Sequence, residues 1–170
     1  MKALIIDESC QNGYLIEEFL LNQNITDTLV FHHANKIEAA IELARTHHFH
    51  LIIIDPAFSR EFGLPLIKTI KDFSPSTTII ALSLCSTTPC TPTCREQCSN
   101  QGADWHLDKA TQFDLLPAIV RKCLSPALFE PDNFVRPGRT LPKVLRETFN
   151  DHRSLKTPSF LRSKRSIHAH

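Results

Sequence analysis

Five polar residues sit at the ends of apolar runs, where charge-driven chemistry could use them. Asp7 and Glu8 directly follow KALII, Asp55 ends LIIID, Ser83 ends TTIIALS, and Lys109 lies in GADWHLDKA. Carboxylates brought within a few ångströms of each other repel and require a cation. An all-oxygen donor set of this kind suits Mg²⁺ or Mn²⁺. A divalent ion there would orient an incoming phosphate and neutralise its oxygens. One carboxylate could act as nucleophile in aspartyl-phosphate chemistry. An ammonium and a hydroxyl opposite would hold the remaining phosphoryl oxygens. Taken singly, an Asp after a strand is usually a cap or an ion-pair partner, so the five are informative only if the fold brings them to one edge.

The elements that would do so are legible as short apolar runs separated by helical stripes. Strands are expected at 2–6, 28–33, 51–55, 77–83 and around 105–107. The first helix is expected to be capped by Ser9, with Tyr14, Leu15, Phe19 and Leu20 on its apolar side. A second helix spans Lys36 to His47 with Ile37, Ala40, Ile41 and Leu43, and a third follows Gly63 with Leu64, Ile67 and Ile70. Thr111 with Asp114 resembles a capping box opening a last helix through Ile119, Val120 and Cys123, although Pro117 weakens its first turns. Strands that are continuous apolar runs, alternating with helices, predict an α/β fold: a doubly wound five-stranded parallel sheet covered on both faces. Such sheets bind ligands outside the carboxyl ends of their strands, which is where all five polar residues fall.

Composition sets the limits. The chain has 170 residues, 42% of them hydrophobic, enough for one core plus a tail. Its net charge of +1 conceals a split: residues 1–123 carry ten Lys and Arg against fourteen Asp and Glu, whereas residues 124–170 carry nine against four. The two parts should therefore meet different partners. No apolar run approaches the roughly 18 residues of a membrane span, and MKALIIDESC reads as a strand rather than a signal peptide. The expected location is the cytoplasm, with the six cysteines reduced unless they bind metal or do redox work.

Together, and in this order, the motifs resemble the receiver domain of two-component response regulators, of the chemotaxis-regulator type, over residues 1–123. The resemblance matches Asp7 and Glu8 to the family's acidic pair, Asp55 to its phosphoacceptor, Ser83 to its Ser or Thr, and Lys109 to its lysine. DPAFSREFG has the family's length from aspartate to glycine, and GADWHLDK fits its glycine–alanine–aspartate run. It implies a flavodoxin-like strand order, 2-1-3-4-5. It also implies phosphotransfer from the phosphohistidine of a sensor histidine kinase or phosphotransfer protein onto Asp55, with Mg²⁺ held by Asp7 or Glu8, Asp55 and the carbonyl of Ala57. Lys109 would pair with the phosphoryl group, and Ser83 would hydrogen-bond to it and draw its loop inward. The signal is a population shift between two loop arrangements. Hydrolysis of the acyl phosphate resets it.

The departures are mild. Glu8 stands where many members have Asp, and Ser59 and Ala110 replace common prolines. His106, three residues before the lysine, holds the position of the family's aromatic switch residue; an imidazole there could rotate as that ring does and add pH sensitivity near its intrinsic pKa of about 6.5, or be half-exposed and merely tolerated.

LCSTTPCTPTCREQCSNQ is the oddest part of the chain; by the resemblance it forms the loop after strand four and the start of helix four. Cys85, Cys90, Cys94 and Cys98 could bind Zn²⁺ or an iron–sulfur cluster, or form a redox pair, or have no joint role. Cys94 and Cys98 share a helix face if that segment is helical. Prolines at 89 and 92 oppose one continuous helix, and the spacing is not the compact pairing of common zinc sites. By the family resemblance, Cys85 faces the mouth of the site and tunes dephosphorylation. His32 and His33 fall near one end of the second helix and His47, His48 and His50 near the other, which argues against a joint metal site.

Residues 124–170 contain five prolines and one candidate short helix at 140–149. The segment is too small for a DNA-binding output domain, and its end reads as disordered. The expected protein is a phosphoacceptor regulator that signals by contact with a downstream protein or by onward relay, with the surface of the fourth helix and fifth strand available for a homodimer. Two alternatives remain: a receiver-like module that signals without phosphate through the cysteine segment and tail, and a small nucleic-acid-binding regulator working through the tail's charge.

Overall fold

A computed structural model of the chain describes residues 1–23, 25, 29–58, 63–84 and 92–124. Five strands, β1 (Lys2–Ile6), β2 (Val30–Ala34), β3 (Leu51–Ile54), β4 (Thr78–Ser83) and β5 (Trp105–Asp108), form one parallel sheet in the order β2-β1-β3-β4-β5. Five helices connect or follow them: α1 (Cys10–Leu21), α2 (Ile37–Thr46), α3 (Gly63–Phe73), α4 (Pro92–Asn100) and α5 (Leu116–Leu124). This is the flavodoxin-like order expected from the sequence.

Alternation of side chains across the sheet divides the core into two layers. Ala3, Ile5, Leu51, Ile53, Ile80 and Leu82 face α1 and α5. Leu4, Ile6, Ile52, Ile54, Ile79 and Ala81 face α2, α3 and α4. Every residue of β3 is buried, which is why it reads as an unbroken apolar run. Each such aliphatic side chain contributes about 1.5–3 kcal/mol on burial.

Several elements differ from the sequence reading in their details. Strand β2 begins at Val30 and ends at Ala34, because Ile5 and Ile6 pair with His33 and Ala34. Ser9 caps α1 as expected, accepting from the Asn12 backbone N–H at 3.3 Å. On α1, Leu20 is buried and Leu15 and Phe19 pack against the core as expected, joined by Asn12, Gly13 and Ile16, while Tyr14 is exposed. Gly13 is buried because the helix rests on His33: a Cβ at Gly13 would stand 2.9 Å from His33 Nδ1. The capping box at Thr111 does not form. A 3₁₀ turn (Phe113–Leu115) precedes α5, Gln112 flanks it without a side-chain cap bond, and the Gln112 amide oxygen instead accepts from the Asp108 N–H at 3.2 Å. Pro117 is then the second residue of α5, in the first turn, where its missing N–H breaks no helical bond.

The sheet register positions the site. Ile6 pairs with Ile54, and the Asp55 N–H donates to the Ile6 carbonyl at 3.0 Å, so Asp7 and Asp55 leave adjacent strands side by side. Ser83 pairs with Asp108, and the Lys109 N–H donates to the Ser83 carbonyl at 2.7 Å. Among the described residues no helix is long and apolar enough to cross a membrane. The segment beyond Leu124, including the proposed helix at 140–149, lies outside the described residues.

Candidate functional site

Lys109 is the centre of the acidic edge. It is 1% exposed, and its Nζ lies 2.7 Å from Asp55 Oδ2 and 2.8 Å from Asp7 Oδ2. Burial alone would lower its pKa. The neighbouring carboxylates, Asp55 and then Asp7, outweigh that and raise it, so the ammonium stays charged in the interior.

The two carboxylates are held from their other sides. Asp7 Oδ1 accepts from the Ser9 N–H at 2.9 Å and from the Asn12 amide at 3.3 Å. Asp55 Oδ1 accepts from the Ala57 N–H at 2.8 Å, and the Asp55 carbonyl accepts from the Phe58 N–H at 2.9 Å. Each acidic side chain thus folds into the turn that follows its strand. Gly63 closes the turn after Asp55, since a Cβ there would meet the Pro56 carbonyl oxygen at 2.2 Å.

These groups open onto a cavity of about 280 Å³ lined by Asp7, Glu8, Asp55, Ala57 and Lys109, among others. Three carboxylates there face one ammonium. Asn12 also lines the cavity; it is 7% exposed, and its Oδ1 makes no hydrogen bond among the described residues. A surplus of anionic and neutral oxygens around a small aqueous cavity fits a hard divalent ion such as Mg²⁺. Asn12 was not expected from the sequence. Its signal was its place in the first turn of α1, three residues after the Ser9 cap, where a side chain can turn back toward the strand end.

Ser83 reaches the same edge but turns elsewhere. Its Oγ lies 2.9 Å from His106 Nε2. His106 is partly buried on β5, and its pKa is lowered by burial first and by Arg95 second, against an opposing pull from Asp108. The imidazole also meets the cysteine helix: Cys94 Sγ lies 3.5 Å from His106 Nε2, and Cys98, fully buried, completes a cluster whose three ligand atoms all fall within 4.8 Å of one another. Of the four cysteines that could have acted together, Cys94 and Cys98 meet a histidine. Cys85 and Cys90 lie outside the described residues. The other histidines are less separated than their sequence positions suggest. The His32 and His47 rings stand 5.6 Å apart, beside Phe49.

Residues 3–121 match the response regulator receiver domain family. The chain belongs to that family, whose members are the phosphoacceptor modules of two-component signal transduction. No curated protein sequence matches it closely enough to add to this. Solved structures agree on the fold. A two-component response regulator from Clostridium difficile superposes with a TM-score of 0.63 at 22% identity, covering 76% of this chain and 99% of that one. A response regulator from Burkholderia pseudomallei, solved with a phosphorylated aspartic acid, gives 0.55 at 21% identity, covering 76% and 75%. The receiver domain of a DNA-binding response regulator from Colwellia psychrerythraea gives 0.64 at 18% identity, covering 74% and 98%.

Proposed function

We propose that Asp55 is the phosphoacceptor and that the donor is the phosphohistidine of a sensor histidine kinase or phosphotransfer protein. The observation that carries this reading is the buried Lys109 ammonium bridging Asp7 and Asp55, at 2.8 and 2.7 Å, on the cavity floor. An Asp55 oxygen attacks phosphorus as the P–N bond of the donor breaks, and the electron pair returns to the donor imidazole. Lys109 moves from the carboxylate toward the new phosphoryl oxygens and neutralises them. Asp7, Glu8, Asp55 and the Ala57 carbonyl would hold Mg²⁺, which supplies Lewis-acid charge neutralisation to the phosphoryl group. Ser83 leaves His106 to donate to a phosphoryl oxygen, and His106 follows it inward as the switch. Water then attacks phosphorus and returns Asp55 and phosphate. Output runs through protein contacts at the α4–β5 surface, which is also the face available for a homodimer. The cytoplasm, where such donors act, is the proposed location.

Intact-mass measurement after incubation with acetyl phosphate and Mg²⁺ tests the assignment. The expected result is a gain of one HPO₃ in the wild type, labile to hydroxylamine and missing in Asp55→Ala. The same gain in Asp55→Ala, or no gain with a broad panel of phosphohistidine donors, would overturn it. In the second case, phosphate-independent signalling through the cysteine segment and tail becomes the reading to pursue.

A further inference from the structure

We infer that Cys94, Cys98 and His106 form a transition-metal site, selective for Zn²⁺ over the hard ions suited to the acidic cavity. It is built where α4 crosses β5, and it is chemically distinct from the Asp7–Asp55 cavity: two sulfurs and an imidazole nitrogen against a set of oxygens.

The geometry is close to that of a loaded site. With Zn–S about 2.3 Å and Zn–N about 2.05 Å, a tetrahedral centre sets its S···N edges at about 3.6 Å and its S···S edge at about 3.8 Å. The Cys94 Sγ to His106 Nε2 separation is 3.5 Å, already one such edge. The remaining separations do not exceed 4.8 Å, so rotamer adjustments of about 1 Å close the set. The thiols share one helix face because they are four residues apart.

The scaffold under the ligands is firm. Helix α4 ends in a Schellman motif: Gly102, at φ 99°, donates from its N–H to the Ser99 carbonyl at 2.9 Å, and the Ala103 N–H donates to the carbonyl of Cys98 itself at 3.0 Å. His106 is held on the other side by the β4–β5 ladder, opposite Ala81. Cys98 is fully buried, whereas Cys94 and His106 are partly exposed. The ion would therefore enter from the Cys94 side and keep its fourth position toward the surface, open to water or to one more protein ligand.

Loading has a structural consequence. His106 Nε2 cannot coordinate a metal and hold Ser83 Oγ at 2.9 Å together, so a bound ion breaks the Ser83–His106 contact. A link between metal and phosphoryl signal through that break rests on the reading of Asp55 and Ser83 above; the metal site itself does not.

The test uses the full chain, reduced, titrated with Zn²⁺ and, in parallel, with Co²⁺. The expected result is one equivalent bound, a thiolate-to-cobalt charge-transfer band with tetrahedral d–d absorption, and affinity reduced by about 100-fold or more in Cys94→Ser and in His106→Phe. Cys94→Ser is the decisive variant, because Cys94 is partly exposed and its loss should leave the fold intact by circular dichroism. Asp55→Ala should bind Zn²⁺ as the wild type does, which separates this site from the phosphoacceptor reading. Cobalt spectra without thiolate bands, or affinity unchanged in Cys94→Ser and lost in His32→Ala with His47→Ala, would overturn the inference and assign the zinc to surface histidines.

Discussion

Lys109 and Asp55, 54 residues apart in the chain, meet at 2.7 Å in the interior, and Asp7 shares the same ammonium at 2.8 Å. One buried cation therefore compensates two carboxylates that adjoining strands deliver to one spot. The arrangement stores a conflict: removing the lysine, or placing a phosphoryl group on Asp55, requires new positive charge in the cavity.

Lys109→Met should consequently destabilise the protein by about 3–5 kcal/mol in urea unfolding without divalent ions. Added Mg²⁺ should recover part of that loss, and equal stability with and without Mg²⁺ in the variant would contradict the charge account. The pH dependence follows from the raised Lys109 pKa. The stability from its pairing is fully present below the unfolded value of about 10.4 and is lost as pH rises through the higher folded value. Denaturation at alkaline pH, wild type against Lys109→Met, reads this directly.

Gly63→Ala should act on the loop of Asp55 from the far side. A Cβ at Gly63 would stand 2.2 Å from the Pro56 oxygen and 3.1 Å from the Phe58 oxygen, both backbone atoms that cannot swing away. The turn must shift, at about 1–3 kcal/mol. The Ala57 N–H bond to Asp55 moves with it, so phosphorylation of Asp55 should slow more than the stability loss alone explains. Unchanged kinetics at full folding would separate the turn from the chemistry.

Asp104→Ala tests the reason for the Gly-Ala-Asp run. The Asp104 carboxylate accepts from the Ile79 N–H at 2.7 Å and from Lys71 Nζ at 2.8 Å, tying edge strand β5 to β4 and α3. Its loss should cost about 1.5 kcal/mol. Hydrogen exchange should rise first at the Ile79 amide, and a uniform rise across the sheet would count against a local role.

Cys123 offers a test by alkylation. Burial, and then the Asp104 carboxylate, raise its thiol pKa to about 11. Its rate of reaction with iodoacetamide should therefore climb only toward pH 11, well above the ordinary thiol value of about 8.5. By linkage, the neutral thiol contributes stability that is whole below the unfolded pKa of about 8.5 and is lost as pH rises through the folded value. A Cys123 rate profile centred near the ordinary thiol value of about 8.5 would contradict the burial.

The alternation of short apolar runs with helical stripes determined the class of fold, because a strand buried on both faces must be apolar at every position, as LIII is. It also determined which residues reach the reactive edge, since a polar residue directly after a parallel strand has only that edge to occupy. Local patterns were weaker. The expected stripe of α1 holds at Leu20, with Leu15 and Phe19 packed beside it, but fails at Tyr14, which is exposed, because helical spacing does not say which of two adjacent faces meets the sheet. The cap at Thr111 lost to a bond between Gln112 and the Asp108 backbone that no spacing rule contains. Only the tertiary structure decided the pairwise facts: that Lys109 divides itself between two carboxylates, that Ser83 rests on His106, and that Cys94 and Cys98 of α4 meet an imidazole from β5. Those contacts join residues 8 to 102 positions apart. Strand order, register and the angle at which α4 crosses β5 set them, and these are properties of the packed chain rather than of any segment of it.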